Sequence, residues 1–334
     1  MRNSIRKPLV FKEGVFTPYI LSFIQYKRSC GLQYEDSAEC TLRMICDKLN
    51  QYQIESPPEL TKEMVENLAA KRIDETYATQ CRRITYLRQL AIYLNKISIT
   101  AYIIPVQQKP KDNRAFVPYL LSDLEIEKMF VVADNLSPIV RYPHYQKVYP
   151  VLLRLLYATG LRTSEALNLK HRSFDKINNT LLIENSKKGK TRCIPLSTSI
   201  SNALTKYISC RFGEVSDFEG YIFAAPDGGR YSRGAVRSTI INIFKTAGIP
   251  TTVSEHHARV HDLRHLFAVK AMEKMKAEGV DLYCAMPLLS VYLGHKGLRE
   301  TEKYLWLPQF RMAEVSASDR LLPGMIPEVS WDEE

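Results

Sequence analysis

Six side chains in the C-terminal half are of types that handle a negatively charged, phosphorus-centred group. They are Arg162 in ATGLRTSEAL, Lys187 in SKKGKTR, His261 and Arg264 in HDLRH, His295 in LGHK, and Tyr304 nine residues later. Two guanidiniums, a lysine and two imidazoles gather in one place only around a strong anion, because their mutual repulsion is otherwise uncompensated. A phosphodiester suits paired arginines, whose planar donors match its two non-bridging oxygens. A tyrosine beside such a cluster is a candidate nucleophile toward phosphorus.

Each residue has a local reason to be where it is. Arg162 stands where the chain leaves Gly160 and enters a helix start, whose free N–H groups favour an anion. Glu165, three residues on, can orient its guanidinium; an isolated string of this kind also reads as a surface salt bridge. His261 and Arg264 are three apart and project to one side of a helix. The glycines flanking His295 allow close backbone approach to a ligand. Nineteen tyrosines make packing the ordinary role of any one of them. Tyr304 has Leu305, Trp306 and Leu307 beside it as anchors, whereas its competitor Tyr292 lies inside the apolar run LLSVYLG and Tyr283 lies nearby. A zinc site is the alternative use of EHHARVHDLRH, since His257, His261 and His265 are spaced by four and His256 adjoins them. The stretch lacks HExxH and any nearby cysteine pair, and Arg259 and Arg264 oppose a cation.

These residues need a scaffold. From Gly14 to about Ile104 the apolar spacing is helical, with Gly31 a C-cap and Ser37 and Thr61 N-caps, giving a bundle of about four helices. The last of these carries Arg82, Arg83 and Arg88, either a solvated face or a nucleic-acid-facing one. Residues 105–118, PVQQKPKDNRAFVP, have the composition of a linker. Beyond it, Ser122 opens a helix, a long apolar helix ends at Thr159-Gly160, and TLLIEN and TRCIPL read as strands of a hairpin around SKKGK. SRGAVRSTIINIFKTAG, HDLRHLFAVKAMEKM and PLLSVYLG are helical. The expected architecture is mainly α, an all-helical module tied to a mostly helical domain with a small antiparallel sheet.

The chain of 334 residues carries a net +10. Its last 22 residues, with Arg320 against Glu314, Asp319, Glu328, Asp332, Glu333 and Glu334, carry −5 and leave +15 on the rest. That body suits an anionic polymer, and the acidic end does not. Seven cysteines without a CxxC pair argue against a disulfide framework or zinc ribbon and for a reducing cytosol. The N-terminus lacks a signal-peptide core, and Arg154 interrupts the longest apolar run, PVLLRLLYA. A cytoplasmic protein with no membrane partner is expected.

In order and spacing, the set resembles the tyrosine recombinase family, the phage-type integrases and Xer-like recombinases. The resemblance covers nearly the whole chain. It implies a SAM-like helical core-binding domain at 14–104, a linker at 105–118, a mixed α/β catalytic domain at 119–312, and flanking segments 1–13 and 313–334. Residues 1–13 are too few for the arm-site domain of larger integrases. It further implies that Arg162, Lys187, His261, Arg264 and His295 are catalytic and Tyr304 the nucleophile, with Glu165 in support. Lys187 is placed by counting back from the RxxPL after the turn, with Lys188 and Lys190 as adjacent alternatives or DNA contacts. The activity implied is site-specific cleavage and rejoining of duplex DNA at core sites through a 3′-phosphotyrosine, with no metal, ATP or other cofactor. It would be carried out by a homotetramer on two duplexes, with accessory proteins, as for a mobile element. A C-terminal segment often docks on a neighbouring protomer, a use for which Leu321, Leu322, Met325, Ile326 and Trp331 are available; folding back onto its own domain is the alternative. Two other readings of the residues are a type IB topoisomerase-like relaxing enzyme and a non-catalytic DNA-binding regulator on the same scaffold.

Overall fold

The computed structural model describes residues 10–304, other than 33, 35, 54–56, 74, 107–116, 141, 187–189, 215–218 and 252–256, and gives only the backbone of 36, 37, 185, 186 and 190. The chain divides into two compact units, Met1–Ala115 and Phe116–Glu334. Most of the expected linker and the whole segment 313–334 lie outside the described residues.

Among its described residues the first unit contains four helices, α1 (Thr17–Ser29), α2 (Asp36–Leu49), α3 (Lys62–Ala69) and α4 (Tyr77–Lys96). Phe16, Ile20, Phe23 and Ile24 recur at helical spacing on one side of α1 and pack with Leu42, Leu49, Leu87 and Leu94. Thr61 caps α3 by accepting the Met64 N–H, as its residue type predicts. Ser37 is not a cap, because α2 already begins at Asp36, and α1 is capped by Cys30 with Gly31 following at φ +74°. The three arginines of α4 do not share a face. Arg82 is exposed, whereas Arg83 is buried at 1% exposure, ion-paired with Glu75 and donating to the Ala70 carbonyl, and half-buried Arg88 donates to the Ile104 carbonyl at 2.8 Å. The helical period turns Arg83 inward, so its charge serves the fold and the expectation of a DNA contact there is withdrawn.

The second unit is helical around one small sheet. Ser122 and Glu125 form a reciprocal capping box at the start of α5 (Asp123–Asp134). In α6 (Tyr145–Thr159) the arginine that interrupts the apolar run is fully buried. Arg154 meets both carboxylate oxygens of Asp134, at 2.8 and 2.7 Å, and so clamps α6 to α5. After the short α7 (Thr163–Leu167) come β1 (Phe174–Asp175), β2 (Thr180–Ser186) and β3 (Lys190–Pro195), antiparallel in that order, with Leu181 opposite Ile194 and Ile183 opposite Arg192. The two-residue β1 has no hydrophobic pattern of its own and was not expected. Helices α8 (Thr198–Phe212), α9 (Arg233–Thr246), α10 (Asp262–Ala277) and α11 (Leu282–Leu293) follow, and residues 299–304 are helical again. α11 starts five residues before the expected Pro287. That proline is exposed, so the carbonyl it leaves without an N–H partner meets solvent.

Among the described residues no cysteine forms a disulfide. Among the described residues no helix is long and apolar enough to cross a membrane.

Candidate active site

Two helix C-termini and one strand build the site. α6 ends on Gly160 at φ +59°, where a Cβ would lie 2.5 Å from the Phe267 ring, so glycine alone fits. The chain then turns into α7 with Arg162 at its N-cap. α11 ends on Gly294 at φ +65°, where a Cβ would come within 2.8 Å of the Arg192 guanidinium. Carbonyls at a helix C-terminus lack intrahelical partners and carry the negative end of the helix dipole. Here three consecutive ones each receive an arginine. Tyr292 O accepts from Arg192 Nε at 2.8 Å, Leu293 O from Arg264 Nη2 at 2.6 Å, and Gly294 O from Arg162 Nη2 at 3.2 Å. Arg264 Nη1 also donates to Gly160 O at 2.9 Å, which ties the two helix ends together.

Glu165 is the carboxylate that holds these cations in register. It accepts from Arg162 Nη1 at 2.8 Å and from the Arg162 backbone N–H at 3.0 Å, and it takes both guanidinium nitrogens of Arg192 at 3.1 and 2.9 Å. Arg264 Nη1 lies 4.0 Å away. Burial alone would push the Glu165 carboxyl up, but the Arg192 and Arg162 hydrogen bonds and charges hold it below its ordinary value. Burial, then the nearby Arg162 charge, pushes Arg264 down to about 10, so it stays charged. Three guanidiniums against one carboxylate leave surplus positive charge in a partly enclosed space. That is the electrostatics of an anion site.

Histidines and a tyrosine complete it. His261 is the N-cap residue of α10, and Arg264 and His265 lie within the first turn of the same helix. His261 keeps part of its surface in solvent, yet packing around the ring, followed by the charges of Arg264, Lys303, Arg162 and Arg259, holds it below its ordinary value, at about 4. His295 is likewise pushed down to about 4 by burial, then by Arg264, and its Nδ1 lies 2.7 Å from the hydroxyl of fully buried Thr301. Tyr304 is 1% exposed, and its ring stacks nearly parallel to His295 at a centroid separation of 6.1 Å. Its hydroxyl meets His265 Nδ1 at 2.9 Å. Burial raises the phenol to about 12 against the opposing pull of Arg264 and Arg162.

Of the expected residues, Arg162, Glu165, His261, Arg264, His295 and Tyr304 come together. Lys187 and Lys188 lie outside the described residues, and Lys190 begins β3. Contrary to the expectation from the apolar run around Tyr292, Tyr304 is the more buried of the two. What separates them is company: Tyr292 stacks on Phe267 at 5.4 Å, whereas Tyr304 sits between two histidines. Among the described residues the geometry gives the zinc reading no support, and His256 lies outside them. His257 precedes α10, and His265 is engaged with Tyr304. Among the described residues no three His, Cys, Asp or Glu side chains are grouped to hold a metal ion. The sequence reading missed Arg192, Thr301 and His265 as parts of the site. Arg192 carried a signal, since in TRCIPL the alternation that buries Ile194 and Leu196 also turns Arg192 inward, and an inward arginine needs a carboxylate.

The Phage integrase family model matches residues 126–308, more than half of the chain and all of this site. The chain belongs to the phage integrase family. This is the tyrosine recombinase class of DNA strand-transferring enzymes. Among similar proteins, y4rB of Sinorhizobium fredii, named as an integrase/recombinase, is 26% identical over 87% of this chain and 93% of its own length. Tyrosine recombinase XerC of Oceanobacillus iheyensis is 28% identical over 61% of this chain and 62% of that protein. The fold of this chain is similar to that of the XerH site-specific recombinase crystallised on its palindromic difH substrate in a post-cleavage complex. That structure is 19% identical, with a TM-score of 0.63, and covers 89% of this chain and 93% of XerH.

Proposed function

We propose that this integrase-family protein is a site-specific DNA recombinase that cleaves and rejoins duplex DNA at core sites through a 3′-phosphotyrosine on Tyr304. The observation that carries the reading is the gathering of Arg162, Arg264, His295 and Tyr304 around the C-terminus of α11. Arg162, whose side chain keeps 22% of its surface open, and Arg264 bind the two non-bridging oxygens and stabilise the pentavalent transition state. Both histidines are held neutral at working pH. The Thr301 hydroxyl engages Nδ1 of His295 and leaves Nε2 to face a phosphate oxygen. His261 can accept the phenol proton. As the Tyr304 oxygen bonds to phosphorus, the bond to the 5′ oxygen breaks, and a hairpin lysine, Lys187 with Lys188 and Lys190 adjacent, supplies the proton that leaves with it. Attack by a 5′ hydroxyl of the partner duplex reverses these steps and frees the tyrosine.

Two duplexes require four protomers, and residues 313–334 are the segment assigned to link them. Exposed Arg82 and the basic residues of the hairpin are assigned to DNA phosphates, in a cytoplasmic protein bound to the nucleoid, with accessory proteins directing the choice of sites.

The test captures covalent adducts on nicked duplexes of randomised sequence, resolved on a denaturing gel. Wild-type protein should give a shifted band on a selected subset of sequences. Tyr304→Phe should give none while binding the selected duplex with unchanged affinity, since it removes one oxygen and no charge. A band that survives in the Tyr304→Phe protein overturns the assignment.

A further inference from the structure

We infer that His265, which no step above uses, is a positioning residue for the nucleophile, and that it fixes the Tyr304 oxygen through Nδ1 before the phosphodiester is attacked. The inference rests on the proposed role of Tyr304 and deepens it.

The contact is specific. His265 Nδ1 and Tyr304 Oη are 2.9 Å apart, across 39 residues of sequence, with both side chains almost wholly buried. Both groups are neutral in the native protein. Burial, then the charges of Lys303, His261, Arg264 and Arg259, holds the imidazole neutral down to about pH 2, and the phenol keeps its proton up to about 12. In the tautomer of the neutral ring that carries its proton on Nε2, Tyr304 donates to Nδ1 and His265 accepts. A ring so resistant to protonation is a poor store for a proton, so the phenol proton leaves this bond for His261 only as the oxygen bonds to phosphorus. What His265 does is orient. With the O–H vector fixed toward α10, the phenol can no longer spin about its C–O bond, and its lone pairs are set relative to Arg162 and Arg264, both close enough for their charges to act on it.

The surroundings favour holding over plain packing. The Tyr304 ring is braced on a second side by His295, and Ala268, Val269, Met272 and Leu293 pack with it in one cluster. Apolar neighbours of this kind would accept a phenylalanine. A buried hydroxyl needs an acceptor, and His265 supplies it.

The test uses two variants of the full-length protein that differ in where they put an acceptor. In His265→Asn the amide oxygen lies two bonds from Cβ, as Nδ1 does; in His265→Gln it lies one bond further, as Nε2 does. On a duplex captured by the wild-type protein, His265→Gln should slow single-turnover adduct formation about ten-fold or more with unchanged DNA affinity. His265→Asn should recover most of that loss. The 19F resonance of 3-fluorotyrosine placed at position 304 should move in His265→Gln and stay near the wild-type position in His265→Asn, with no DNA present. Equal impairment of the two variants would reduce His265 to packing, and a wild-type or faster rate in a folded His265→Gln protein would remove the positioning role. These failures leave the role of Tyr304 intact, because the Tyr304→Phe protein tests that separately and the fluorine signal does not depend on cleavage.

Discussion

Arg192 and Glu165, 27 residues apart, meet through two parallel hydrogen bonds of 3.1 and 2.9 Å, and this bond ties the β-hairpin to the helix start that carries Arg162. The same arginine reaches Tyr292 O at the end of α11. Hairpin, α7 and α11 are therefore held by one guanidinium, and the hairpin is registered against Arg162, the arginine proposed to bind phosphate, through it.

Arg192→Ala should accordingly destabilise the protein by ~3 kcal/mol, the lower end for breaking a buried ion pair, because Glu165 keeps Arg162. Arg192→Lys should remain impaired, since a single ammonium cannot form the two-pronged contact. Urea unfolding gives the first quantity and single-turnover adduct formation the second. A lysine variant with wild-type cleavage would mean that charge alone suffices and the register argument is wrong.

Gly160→Ala tests the join between α6 and the site. Its left-handed backbone costs a side chain about 1–2 kcal/mol, and the new methyl would meet the Phe267 ring, whose displacement adds about 1–3 kcal/mol. Because the Gly160 carbonyl accepts from Arg264, cleavage should fall along with stability, whereas Gly248→Ala, also at positive φ just past a helix end but with open space around its Cβ, should cost only the backbone part. Comparable thermal midpoints for the two variants would contradict the packing account.

Thr301→Val keeps shape and burial while deleting the hydroxyl beside His295 Nδ1. One lost hydrogen bond to a half-buried ring is worth ~1–2 kcal/mol, so the rate of adduct formation should fall about ten-fold, with little change in DNA affinity. An unchanged rate would show that His295 needs no partner to orient it.

The sequence carried the site's polar residues because their types and spacing are local facts. Glycines 160 and 294, the HxxR turn and the final tyrosine each mark a place where the chain must bend or face an anion. What it hid were relations between distant segments. His265 could be seen as a fourth histidine in a run of imidazoles but not as the partner of a tyrosine 39 residues away. Arg83 looked like its neighbour Arg82 until the helical period turned it onto Glu75. The three arginines on the end of α11 arrive from α7, β3 and α10, and no linear pattern joins them.

That convergence also sets how stability depends on pH. His265 and His295 have native values of about 2 and about 4, both below the ordinary 6.5, so between those limits the unfolded chain binds protons that the native chain refuses. Stability from these groups is therefore complete above pH 6.5 and is lost as pH falls, at up to ~1.4 kcal/mol per pH unit for each fully shifted ring. Glu165 acts in the same direction but lower down, because its depressed carboxyl gives up stability only below about 4.5. Urea unfolding at pH 7.5, 6 and 5 thus isolates the histidines. His265→Asn, which cannot titrate, should lose less stability over this range than the wild type, by up to ~2 kcal/mol at pH 5. Parallel stability curves for the two proteins would show that the His265 ring takes up its proton as readily in the native state as in the unfolded chain, which is incompatible with a buried, neutral acceptor held against Tyr304.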